Sequence, residues 1–177
     1  MLEALRRDAR RYSELGGWYR NLGFFVGATY RFGSWARRLP RPLGLPFRVL
    51  HAVLRLPWVT LLHVKLDAER IGPGFCLIHP HCVLTAAGTV IGRDCLIFHE
   101  VTVGTNVEAT GAPVIGDGVD LYVGARVLGP VSIGSGSVVG ANCVVTQDVP
   151  PGTVVAPPPA RTARRPPVAP AETSSGA

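Results

Sequence analysis

A branched aliphatic residue recurs every six positions through the second half of the chain, at Ile115, Leu121, Val127, Ile133, Val139 and Val145. Four residues after each of these come Val119, Ala125, Val131, Ser137, Cys143 and Val149, all small or β-branched. The same grid reaches back through Val103, Ile97 and Ile91 and, after a two-residue insertion, through Val83, Leu77 and Ile71. A simple alternating sandwich would not hold one phase for so long. One large and one small inward position in every six residues describe a hexapeptide β-helix, in which each repeat is a short strand and three repeats close one triangular coil. Gly116, Gly134 and Gly140 follow the aliphatic position, where a corner needs a permissive backbone.

Composition agrees with coils built from aliphatics and turns: aromatics are 7% of the 177 residues, against 21 glycines and 16 prolines. Residues 1–65 differ from the rest. They hold twelve Arg or Lys and three acids, a local +9, whereas residues 66–177 hold six and nine, a local −3. Leu2 to Glu14 reads as a solvated helix ended by Gly16-Gly17, and Phe24 to Arg38 as a second helix stopped by Pro40 and Pro42. Leu43 to Val64 is apolar but carries Arg48, His51 and Arg55 and is broken by Pro46 and Pro57, which makes it a poor bilayer span and a better buried or interfacial helix. The expected organisation is an α-helical region over 1–65, a repeat domain over 66–161 and a disordered Pro-rich tail over 162–177. With no secretory signal and no transmembrane segment read from the sequence, the expected location is cytoplasmic. The basic surplus sits on the helical region and does not point to nucleic acid. Cys76, Cys82, Cys95 and Cys143 lack CxxC spacing and read as small core residues, with no metal expected.

A bare coil does not specify a reaction, so function must come from outward residues. His79 follows Leu77 by two and His99 follows Ile97 by two, which stacks them on neighbouring coils with backbones roughly 5 Å apart. His81 falls on the small position and reads as a packed or corner residue. An imidazole titrates where it can take a proton from an alcohol near neutral pH. Surface polarity is the other reading of His79 and His99, and three imidazoles also raise a zinc hydrolyase with a site across a subunit boundary.

The run Ile71-Gly-Pro-Gly-Phe-Cys-Leu-Ile-His79, with Val101-Thr-Val-Gly104, Ile115-Gly-Asp-Gly-Val, Val123-Gly-Ala125, Gly140-Ala141-Asn-Cys-Val-Val and Asp148-Val-Pro-Pro, resembles the serine O-acetyltransferase family. Gly23-Phe24, Tyr30-Arg31, Gly33 and Trp35 match the spacing of that family's last helices. The resemblance covers roughly residues 5–161. It implies a mainly β fold, a left-handed parallel β-helix with an N-terminal α-helical region. It also implies a homotrimer, which can pair into a dimer of trimers, and transfer of an acetyl group from acetyl-CoA to a small-molecule hydroxyl. The family's general base falls on His79. Its CoA contacts fall on Gly104, Thr105, Gly124, Ala125, Gly140, Ala141 and Arg161, although each of these glycines also serves as a coil corner. Asp8 falls on an aspartate that helps bind serine, or is a helix-surface acid, and His99 could supply further acceptor contacts.

Two departures bear on the acceptor and a third on CoA at the last coil. The aspartate that precedes the family's base is Ile78 here, the loop that carries an Arg-His pair reads Gly111-Ala112-Pro113, and Pro157 replaces a glycine. Shorter relatives associated with polysaccharide genes share such a loop, so a sugar or conjugated hydroxyl is the alternative to serine or a related small acceptor. A non-catalytic β-helix scaffold is a further alternative. The chain ends in Ala177 rather than the isoleucine that docks into a sulfhydrylase, so that complex is not expected.

Overall fold

The computed structural model describes residues 1–105 and 111–157. Three helices, α1 (Leu2–Glu14), α2 (Leu22–Arg38) and α3 (Gly44–Thr60), precede a column of short parallel strands. The strands form three faces of a left-handed parallel β-helix. The first face stacks Leu66, Thr85, Val103, Val127 and Val145 in register. The second stacks Ile71, Ile91, Ile115 and Ile133, and the third Leu77, Ile97, Leu121, Val139 and Val155. The aliphatic grid residues named above from Ile71 to Val145 are 0–5% exposed, and Val119, Ala125, Val131, Ser137, Cys143 and Val149 are 0–8% exposed. Adjacent coils share a largely aliphatic core because, Thr85 apart, each stacked strand residue lies on another aliphatic.

The two-residue insertion lies elsewhere than the sequence spacing suggests. Thr85, not Val83, pairs with Val103, so the chain takes eight residues from Leu77 to Thr85 and six from Thr85 to Ile91. The extra length therefore falls in the corner that carries His79, Pro80, His81 and Cys82. A threonine is tolerated inside because its Oγ1 accepts a hydrogen bond from the Ala68 amide at 3.0 Å.

The helices close the open end of the coils. Tyr12 is 1% exposed, and its hydroxyl accepts from the Leu77 amide at 2.6 Å and donates to the Leu77 carbonyl at 3.1 Å. Close approach of α2 requires glycine at position 23, where a Cβ would lie 1.9 Å from the Leu77 carbonyl oxygen. Tyr30 donates to the Ala68 carbonyl at 3.0 Å. Of the two readings of the third helix, buried or interfacial, the structure excludes the buried one: its one buried residue is Gly44, and Leu45, Val49, Leu50, Val53, Leu54 and Leu56 are all exposed. It is held along α2 instead: Arg48 donates to the Ala36 and Arg37 carbonyls at 3.3 and 3.2 Å, the Phe47 ring meets Phe32 and Trp35 edge-on, and the Trp58 indole N–H donates to Thr29 at 3.0 Å. Among the described residues no helix is long and apolar enough to cross a membrane.

Candidate active site

The corner leading from the third face to the first carries most of the chain's imidazoles. Successive levels are tied by backbone hydrogen bonds: Cys82 N–H to the Leu62 carbonyl, Glu100 to His81, Gly124 to His99 and Asn142 to Val123, at 2.8 to 3.1 Å. Each level needs one left-handed residue to turn. These are His63, Cys82, Glu100, Gly124 and Asn142, with φ between 50° and 69°. The insertion adds another, His79, at φ 51°. Histidine tolerates that conformation better than a β-branched residue. Four of the five histidines, His63, His79, His81 and His99, consequently lie on one corner.

His79 is exposed and His99 half-buried, their ring centroids 6.2 Å apart and their planes at 72°. The stacking expected from their common offset after Leu77 and Ile97 is present. His99 Nδ1 is buried and has no hydrogen-bond partner among the described residues. A buried polar atom in that state favours a ligand or water able to satisfy it. Phe98 and Tyr122, which sequence reasoning did not single out, stack at 5.0 Å and 14° beside His99. Their signal was available: each directly follows an inward aliphatic, Ile97 and Leu121, on paired strands.

No family model matches the chain. The serine acetyltransferase of Escherichia coli is 33% identical over 147 residues, 81% of this chain and 52% of that protein. The chain belongs to the serine O-acetyltransferase family. Neisseria gonorrhoeae serine acetyltransferase in complex with serine superposes with a TM-score of 0.73 at 26% identity, over 90% of this chain and 68% of that one. A serine acetyltransferase in complex with CoA gives a TM-score of 0.62 at 28% identity, over 78% and 55%. The chain spans about half the length of the curated relatives it matches.

For a serine O-acetyltransferase relative, the placement of Asp8 is a correction. Asp8 is 3% exposed and faces inward, where Oδ2 accepts from Arg31 Nε at 2.9 Å. Oδ1 accepts from Arg31 Nη2 at 3.1 Å and from the amides of Gly74 and Phe75 at 2.7 and 3.0 Å. Arg31 in turn donates to the carbonyls of Ile71 and Gly72. The carboxylate fastens α1 and α2 to the first coil, with both oxygens engaged and the side chain turned away from solvent.

The positions matched to CoA contacts fall into two groups. Gly124, Ala125, Gly140 and Ala141 lie on the histidine corner, whereas Gly104 and Thr105 end the first face and lie at the next corner. Thr105 and Ala141 are exposed and Gly140 is half-buried. Ala125 is a correction: its side chain is fully buried, its amide donates to Tyr122 and its carbonyl accepts from Thr102, so it is a core residue. Gly124 is buried with φ 69°, the left-handed position that His63, Cys82, Glu100 and Asn142 fill at other levels, and a Cβ there would lie 2.2 Å from Asn142 Oδ1, so its smallness serves the neighbouring Asn142 side chain. Arg161 lies outside the described residues.

The cysteine reading also changes at one position. Cys76, Cys95 and Cys143 are buried as expected, and burial pushes the first two thiols up to about 12 and about 11. Cys82 is exposed, beside an exposed His81.

Proposed function

We propose that the chain is an acetyl-CoA-dependent O-acetyltransferase of cytoplasmic location that works as a homotrimer, with His79 as general base. The observation that carries the reading is the exposed His79 imidazole on an expanded coil corner, beside His99. His79 removes the proton from the acceptor hydroxyl as its oxygen attacks the thioester carbonyl. The tetrahedral oxyanion then collapses, the C–S bond breaks, and the CoA thiolate leaves as its sulfur takes the proton from His79. His99 orients the acceptor, and Phe98 with Tyr122 gives a flat apolar surface beside it. Thr105, Gly104, Gly140, Ala141 and Arg161 line the path of CoA, with Arg161 meeting a phosphate. The exposed apolar side chains of α3 and the open position of the corner support a site completed by a neighbouring subunit.

Serine is the first acceptor to test. A sugar or conjugated hydroxyl is the second reading, favoured by one observation: Asp8 is fully engaged by Arg31 and two amides, and Ile78 supplies no carboxylate in its place. The test combines calorimetry with CoA and a thiol-release assay with serine, other hydroxy amino acids and sugars. Saturable heat and acceptor-dependent release of CoA are expected; neither with any acceptor would leave a scaffold.

A further inference from the structure

We propose that His63, His81 and Cys82 form a surface metal site, separate from the His79–His99 pair, that takes a borderline divalent ion of the zinc or cobalt class. The donor atoms of these three residues all lie within 4.8 Å of one another. Cys82 Sγ is already 3.8 Å from His81 Nε2, and the His63 and His81 rings meet edge-on at 6.2 Å and 73°. Metal bonds of about 2.0–2.3 Å at tetrahedral angles require donors about 3.3–3.8 Å apart. The thiol and His81 therefore already stand at coordination distance, and a side-chain rotation of exposed His63 brings in the third donor.

The backbone fixes this meeting. His63 and Cys82 occupy the left-handed position of successive levels, at φ 53° and 50°, and the Cys82 amide donates to the Leu62 carbonyl at 2.8 Å. His81 stands just before that position, as His99 does one level on. Two imidazoles and a thiolate suit zinc, cobalt or copper, while calcium and magnesium require oxygen donors, and no carboxylate belongs to the group. All three side chains are exposed, so an ion has access and a fourth position stays open for water or an incoming ligand. Spacing alone concealed the site because its donors come from two levels of the coil, eighteen residues apart from His63 to His81.

The test uses the tag-free full chain, reduced and stripped with a chelator, and titrates it with Co2+ and then Zn2+. One equivalent of cobalt should bind with a thiolate-to-cobalt charge-transfer band and the visible bands of a four-coordinate ion, both lost on adding zinc. Zinc should also protect Cys82, the one exposed thiol among the four cysteines, from a thiol reagent. Cys82→Ala and His63→Ala should each weaken cobalt binding by about 100-fold or more, while His79→Ala binds as the parent does. Cobalt binding without a thiolate band, or undiminished in Cys82→Ala, would overturn the site. Acetyl transfer is not the readout, so this result and the fate of the acyltransferase reading are separable.

Discussion

Two levels of the same corner are built differently. From Leu121 to Val127 the chain turns in six residues around Gly124, where a Cβ would meet the next level's Asn142 Oδ1 at 2.2 Å. From Leu77 to Thr85 it takes eight, and both His79 and Cys82 hold left-handed backbone. Each interior register is the same at both levels: Leu77 lies under Ile97 and Leu121, and Thr85 under Val103 and Val127. The short corner is a structural necessity of the repeat. The long one adds outward side chains without disturbing the inward ones, and the chemistry of the molecule collects there.

The helical cap contributes to that contrast by fixing the expanded corner from below. Tyr12 holds both backbone groups of Leu77, two residues before His79, and Asp8 with Arg31 fastens the same helices to Ile71, Gly72, Gly74 and Phe75. Asp8→Ala would leave a buried guanidinium without its partner. It should lower the unfolding free energy by about 3–5 kcal/mol, measured by denaturant titration. A change below about 1 kcal/mol would mean that the ion pair does not hold the cap.

A smaller effect sharpens the register. Thr85→Val keeps shape but removes the acceptor for the Ala68 amide, which should cost about 1–3 kcal/mol. A neutral result would return the insertion to the segment after Val83 and shorten the histidine corner to the ordinary six residues.

Much of this fold could be read from spacing because an unbroken aliphatic period admits few alternatives, and among the described residues the aliphatic grid positions from Ile91 to Val145 are where the period puts them. The helix Leu2–Glu14 was equally legible from its charges and the glycine pair after it. Position within an irregular corner was not legible: a shift of two residues moved the insertion from one side of Thr85 to the other, and with it the surroundings of His81 and Cys82. Asp8 misled because an acid on a charge-rich helix gives no sign that Arg31, 23 residues later, returns to it. For α3 the sequence left a buried and an interfacial placement open, since apolar content alone does not say which surface covers it.

Loss of a general base without loss of fold tests the central claim most directly. The rate of CoA release by His79→Ala, measured beside its melting temperature and its mass in solution, should fall by about 100-fold to 10,000-fold while the latter two match the parent. Turnover retained near the parent rate in a folded His79→Ala protein would contradict the assignment of the reaction to this corner.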